Sequence, residues 1–280
     1  MSGFSPDWLA LREPADHAAR DPGLVAALAR VLPGPVRAVD LGCGSGSNLR
    51  ALAPHLGPDQ DWVLVDHDPA LLIAARSRLA AWAERAEAAG DGLVLHRDGA
   101  RIAVRFSALD LAAGPEAALS EAPHLVTAAA LFDLVSEAWI AALAREVAAA
   151  GAVFYTALTY DGAEEWTPPH PADAAIHAAF LAHQGGDKGF GPSLGPAATA
   201  ALARAFQAHG YAVETANSPW RLGPGEAALL HQLAEGTARA AAETGRVAAE
   251  AAEAWREARR APGTGAVIGH RDLLAVPPPA

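Results

Sequence analysis

The sequence predicts an α/β fold, an open and mostly parallel sheet with helices on both faces. Short β-type runs alternate with helical stretches along most of the chain, the pattern of a sheet wound by crossover helices. The first such run, residues 36–40, leads straight into a glycine-rich loop, Gly42-Cys43-Gly44-Ser45-Gly46, and then a helix. Open sheets of this class bind ligands at that kind of junction.

Residues 7–31 read as helical, with Pro14 and Pro22 as breaks or first turns, and 1–34 as a helical cover. Residues 35–160 read as the α/β core. The strand at 36–40 is followed by a helix at 47–56, a strand at 62–66 and a helix at 69–88 with apolar residues at helical spacing. Runs at 93–96 and 102–106 flank Asp98-Gly99, a hairpin turn. A strand at 124–127, a helix at 137–148 and a strand at 152–158 follow. Regularity breaks at Tyr160. Five prolines and six glycines lie between there and Pro196, so 161–196 is expected to be a lid or substrate loop with a helix at 172–183. The core resumes over 197–280, with a helix at 197–209, a strand at 211–215, an alanine-rich helical insertion at 225–260 and a strand at 267–276. Leu229, Leu230, Leu233 and Ala234 form one apolar face of the insertion, which packs on the domain or makes a homodimer contact.

Composition narrows the partners. The formal charge of −11 argues against a nucleic-acid partner, whose binding depends on basic surface. No apolar run reaches the length of a membrane span, and Met1-Ser2-Gly3-Phe4-Ser5-Pro6-Asp7 lacks the pattern of a signal peptide. One cysteine excludes an intramolecular disulfide and any multi-cysteine zinc site. A cytoplasmic protein with no membrane partner is expected. Cys43 reads as a small residue behind the loop rather than a nucleophile. His170, His177 and His183 match no metal-ligand spacing, so no metal is assigned.

The loop carries the functional reading. Its glycines allow backbone conformations barred to other residues and a close approach to a ligand, and free N–H groups of the following helix suit an anion. A dinucleotide site would spell G-x-G-x-x-G; this loop spells G-x-G-x-G, with Asp40 at the strand end. An acid there repels a pyrophosphate and suits an amino group, which speaks against a nicotinamide-dependent oxidoreductase.

The run Val39–Asn48 resembles motif I of the class I S-adenosylmethionine (SAM)-dependent methyltransferases, and the resemblance extends over residues 36–160. It implies a Rossmann-like fold with a seven-stranded, mostly parallel sheet, SAM as cofactor and S-adenosylhomocysteine as product. It further implies that Asp40, Gly42 and Gly44 surround the methionine half of SAM. Asp66, with His67 beside it, would meet the ribose hydroxyls, and Leu109-Asp110 the adenine. Asn48 orders the loop or starts the helix. Arg20 or Arg12 meets a carboxylate of SAM or of the substrate if the N-terminal segment folds over this edge.

The expected activity is methyl transfer to oxygen or nitrogen of a small-molecule metabolite. The alternative is a SAM-binding regulatory protein without transfer, told apart by whether product forms with any acceptor. Because SAM already carries a good leaving group, catalysis is mainly alignment, and a base is needed only for a protonated acceptor. Asp133, after the fourth strand, either orients or deprotonates the acceptor or caps the helix near Ser136. The base-amino Asn/Asp-Pro-Pro-Tyr/Phe motif is missing there. Tyr160, His170 and His183 are the candidate catalytic side chains of the lid. Trp166, Lys188, Trp220 and Arg12 are the candidate substrate contacts, Lys188 suiting an anionic group.

Overall fold

The computed structural model describes residues 4–279; Met1–Gly3, part of the segment read above for a signal peptide, lie outside the described residues, as does Ala280. Helix α1 (Pro6–Ala19) runs unbroken through Pro14, so that proline marks no break. The chain turns at Arg20-Asp21, where the Asp21 carboxylate caps α2 (Pro22–Val31) by accepting from Leu24 N. Strands β1 (Val36–Leu41) and β2 (Asp59–Asp66) flank the short α3 (Ser47–Leu52), and α4 (Pro69–Trp82) follows.

Ten strands occur among the described residues, against the seven expected. The extra ones begin with β3 (Arg85–Ala89), where the sequence predicts the end of a helix. All five of its residues are exposed, and Arg, Ala and Glu are good helix formers, so local pattern continues the helix and does not reveal the strand. It is a strand because Gly90, with φ +60°, turns it back onto β4 (Gly92–Arg97). Strand β5 (Ala100–Ala108) pairs with β4 around Asp98-Gly99, both at positive φ, as the hairpin reading requires.

Beyond them lie β6 (Leu125–Ala129), α5 (Glu137–Ala150) and β7 (Val153–Thr167). Strand β7 does not stop near Leu158. It runs through Tyr160 to Thr167, paired antiparallel with β10 (Gly265–Val276). Helices α6 (Asp173–Gln184) and α7 (Ala198–Ala208), strands β8 (Ala212–Asn217) and β9 (Trp220–Leu222), and helices α8 (Ala227–Glu243) and α9 (Ala249–Ala258) complete the chain.

The sheet order is β3-β4-β5-β2-β1-β6-β7-β10-β8, with β9 beside β10. The five central strands, β5-β2-β1-β6-β7, are parallel. Successive residues of β1 serve opposite faces: Val36 and Ala38 enter one buried cluster, Val39 and Leu41 the other. The apolar face of α8, Leu229, Leu230 and Ala234, is buried in the first cluster, where α8 packs on α6 of its own chain.

The extension of β7 is anchored by Arg259, only 1% exposed. Its guanidinium lies 5.2 Å from the Trp166 ring centre and 5.0 Å from that of Trp255, and it donates to Pro168 O at 2.6 Å and to Asp173. Arg259→Ala is expected to destabilise the fold by about 3 kcal/mol, because it removes the cationic partner of Asp173 and the donor to Pro168 O and empties the space between two indoles. Arg259→Lys should recover little of this, lacking the planar fork; urea unfolding of both variants checks it.

Candidate functional site

Strand order reverses at β1, whose two neighbours are β2 and β6. The crevice at the carboxyl ends of β1 and β6 is where such sheets hold ligands. Asp40 stands at that end of β1 and is fully buried. One carboxylate oxygen accepts from Asn48 Nδ2 at 2.7 Å, and the same amide nitrogen lies 3.1 Å from Thr127 Oγ1 of β6. The other carboxylate oxygen and Asn48 Oδ1 are buried without a partner. Burial pushes the Asp40 carboxyl up to about 7, against the pull of Asn48 and Arg20. Asn48 thus orders the strand end against the loop.

The loop bends as its glycines permit: Gly42, Gly44 and Gly46 have φ of +65°, +52° and +76°. A Cβ on Gly44 would come within 2.9 Å of Leu9 Cδ1 on α1, so α1 lies close over the loop, and the left-handed backbone there favours glycine. The Asp66 carboxylate ties the loop to β2, accepting from Gly44 N at 2.9 Å and from Asp68 N at 3.0 Å. His67 is exposed beside it, with Nδ1 at 3.5 Å. At the end of β5, Leu109 N donates to Asp66 O at 3.0 Å, which draws this strand end to its neighbour. Asp110 is exposed and accepts from Ala112 N at 2.9 Å. Cys43 is buried and its thiol is pushed up by burial and by Asp40 and Asp66, the state of a packed, unreactive side chain.

Helix α1 presents Arg12 and Asp16 on one face, and Arg20, four residues on, continues that line. Arg20 is 9% exposed, with Nε and Nη1 lacking partners, and its charge acts on Asp40 and Tyr155. A buried cation with free donors beside a buried acid with a free oxygen is an arrangement that water normally relieves. Asp16 accepts from Arg12 Nε at 2.9 Å, from Arg12 Nη2 at 3.1 Å and from Trp220 Nε1 at 3.1 Å. The Arg12 guanidinium stacks on Trp220, 4.8 Å from its ring centre.

Just past the end of β6 and within β7 the chain is bent. Ala130 and Leu158, neither a glycine, have φ of +53° and +62°, a cost the surrounding structure must offset. Asp133 follows, 8% exposed, accepting from Gln184 Nε2 of α6 at 2.9 Å. Burial pushes it up to about 6, with Arg12 pulling the other way. It does not cap α5; Ser136 does. The Tyr160 hydroxyl lies 3.2 Å from His177 Nε2, and its ring meets those of Phe180 and His270 at 5.9 and 6.2 Å. His270 of β10 is 6% exposed and 5.1 Å from Trp220 between ring centres. Its Nδ1 has no partner, and burial, with Arg12 adding, pushes it down to about 3, so the ring is neutral.

Of the sequence-predicted acceptor residues, Arg12 and Trp220 stack on each other, Tyr160 joins them through the His270 ring, and Asp133 meets Gln184. Four others do not join them. Trp166 packs on Trp255 in the extension, His170 Nδ1 accepts from Ala172 N in a turn, and His183 pairs with Glu243 at 3.0 Å in a partly exposed position. Lys188 spends its ammonium on His183 O at 3.0 Å. Asp16, Gln184 and His270 were missed. The first two have no local signal. The histidine in a β-run, Ile268-Gly269-His270, was the one available hint.

No family profile matches the chain, and no curated protein matches it in sequence. Among solved structures it is similar to a cyclopropane-fatty-acyl-phospholipid synthase-like protein from Lactobacillus casei (17% identity, 94% of this chain and 91% of that one, TM-score 0.53). It is also similar to the Mycobacterium tuberculosis cyclopropane synthase MmaA2 (13% identity, 97% and 94% covered, TM-score 0.49). A third is a SAM-dependent methyltransferase from Geobacter sulfurreducens in complex with S-adenosylhomocysteine (14% identity, 99% and 100% covered, TM-score 0.47). The strand order and the first of these similarities show that the chain has the Rossmann-like α/β fold.

Proposed function

We propose that the protein is a SAM-dependent methyltransferase acting on a small molecule. One observation carries this reading: at the carboxyl end of β1 a buried acid and a buried arginine both keep unpartnered polar atoms, next to a loop of left-handed glycines. A ligand carrying an ammonium and a carboxylate on one carbon satisfies both, as the amino-acid end of SAM does. Asp40 receives the ammonium and Arg20 the carboxylate. Gly42 and Gly44 let the backbone approach, and Asp66 retains lone pairs for a diol beyond the two N–H groups it already binds. Leu109 and Asp110 border the adenine side, with His67 at the rim.

When bound, SAM supplies a methyl group on a positively charged sulfur, so the protein's task is alignment and exclusion of water. Helix α1 closes the loop side through Leu9, and α6 closes the acceptor side through Gln184. Asp133 is the residue suited to hold or take an acceptor proton, since a carboxyl raised toward neutrality exchanges protons near pH 7. No helix among the described residues is long and apolar enough to cross a membrane.

Calorimetric titration with SAM, S-adenosylhomocysteine and NADH tests the reading. Micromolar binding of the first two and none of NADH is expected. Asp66→Ala should weaken SAM at least about tenfold, by losing charge-assisted hydrogen bonds and the tie to Gly44. Well-folded protein that ignores SAM would sink the proposal.

A further inference from the structure

A cleft of about 430 Å³ opens between α1 and α4, a volume that suits a small organic ligand. Its walls are Glu13 and His17 of α1, Arg50 of α3, and Arg78, Ala81 and Trp82 of α4. It shares no lining residue with the site at the carboxyl end of β1.

The charged groups in the cleft are unequally matched. Glu13 accepts from Arg50 Nε at 2.7 Å and from Arg50 Nη2 at 2.6 Å, so both its oxygens are taken. Arg50 Nη1 donates to Ser45 O of the glycine loop at 2.9 Å. Burial raises the Glu13 carboxyl, but the bonds and charge of Arg50 outweigh it and hold it below the usual carboxylate range. That pair is complete and neutral. Arg78 donates from Nη2 to Pro6 O at 3.1 Å, while its Nη1 lies 3.8 Å from Glu13, beyond hydrogen-bond reach. Among the described residues it makes no other hydrogen bond or ion pair, and its side chain is 30% exposed. Burial and the charge of Arg20 push His17 down, so its ring is neutral at pH 7. Two arginines therefore share one carboxylate, which leaves the cleft a spare positive charge on a chain of formal net charge −11.

Trp82 supplies an apolar wall. Its ring is fixed by Arg97, whose guanidinium lies 4.8 Å from the ring centre and whose Nη1 donates to Trp82 O. The same indole borders a second, smaller cavity of about 140 Å³, walled by Pro54, Leu56, Pro58 and Ile102. The charged residues at that cavity, Arg97 and Asp98, pair with each other at 3.2 Å. One indole is thus shared by a space with a spare cation and a space with apolar sides.

We propose that this cleft is a second ligand site, taking a monoanionic carboxylate on an aromatic or alkyl body. The carboxylate meets the free donors of Arg78, a charge-assisted contact. The body lies against Trp82 and reaches toward the apolar cavity beside it. A dianion such as a phosphate ester is disfavoured, because one spare charge is present and Glu13 stands next to it.

Calorimetric titration of the full chain with 1-naphthoate and its neutral amide, 1-naphthamide, tests this. Naphthoate is expected to bind with a Kd of about 100 µM or lower, and the amide about fivefold more weakly. Arg78→Gln should weaken naphthoate about fivefold and leave the amide unchanged. Ala81→Glu, at an exposed position on the wall, sets a carboxylate in the cleft without disturbing the core and should weaken naphthoate about tenfold. It keeps the test decisive should the first variant fold poorly. Protein saturated with S-adenosylhomocysteine should bind naphthoate as well as empty protein does. No naphthoate binding below about 5 mM, an amide bound as tightly, affinity unchanged in both variants, or displacement by S-adenosylhomocysteine would each overturn the site. Naphthoate binding is read on the protein alone, so the site stands or falls independently of the cofactor reading.

Discussion

Replacing Asp272 by alanine is expected to destabilise the fold by about 4 kcal/mol. Asp272 lies in β10 with no exposure. Its carboxylate accepts from Leu158 N at 2.9 Å, from Asp21 N at 2.9 Å and from Tyr155 OH at 3.4 Å. Three segments meet on it: the turn between α1 and α2, the bend within β7 at Leu158, and β10 itself. Leu158 holds a left-handed φ of +62° without being glycine, a conformation that persists only when its surroundings enforce it. Alanine would leave one buried and one partly buried N–H group unpaired, the buried one costing about 1–3 kcal/mol, and release the strained residue as well. Asp272→Asn keeps one acceptor oxygen and should show about half the loss. Urea unfolding followed by tryptophan fluorescence measures both. Because Asp21 directly follows Arg20, the alanine variant should also lose affinity for S-adenosylhomocysteine, about tenfold. A stability change under about 1 kcal/mol would mean that Asp272 does not pin these segments.

Affinity for SAM is expected to rise with pH between about 5 and 7, by up to tenfold per unit, and then to level off. Burial holds the Asp40 carboxyl at about 7, so the empty protein carries a proton there below that pH. The groups facing it are Arg20 after α1, Asn48 of α3, Thr127 of β6 and Asp66 of β2. An ammonium bound against Asp40 needs the ionised form, so binding releases the proton and is favoured as pH rises. The sign for stability is the reverse. An acid raised above its unfolded value opposes folding once ionised, so the empty protein loses stability from about pH 4 upward and loses no more beyond about 7. Asp40→Asn should bind SAM about 100-fold more weakly at pH 8, lacking a buried charge pair, with the pH slope gone. Titrations in two buffers of different ionisation enthalpy count the released proton. A flat wild-type profile, or a slope that survives in Asp40→Asn, would refute this role.

Local pattern made much of the loop end of the candidate site legible. Asp40, the glycine loop and Asp66 sit within thirty residues at strand ends, and strand–turn–helix chemistry places them together whatever the rest of the chain does. The Asp98-Gly99 hairpin and the alternation of strand and helix were legible for the same reason. Strand β3 was not, because an exposed Arg-Ala-Glu-Ala-Ala run is built of good helix formers and becomes a strand only by pairing with β4. The break at Tyr160 was read as a loop because its prolines and glycines resemble turn chemistry. The partner that makes it strand, residues 265–271, lies about a hundred positions away.

The acceptor side shows where sequence runs out. His183 and Lys188 drew attention as reactive residue types in a glycine-rich stretch, yet one pairs with Glu243 and the other with a backbone carbonyl. Asp16, Gln184, His270 and Asp272 looked ordinary, being single polar residues in helices and a strand. The sequence by itself determined the class of fold and the strand–loop–helix junction at the end of β1, since both depend on residues close in the chain. Only the tertiary structure decided which side chains face that junction. Burial and hydrogen-bond partners are set by pairing of distant segments, β7 with β10 and α1 over β9, and no spacing within one segment encodes them.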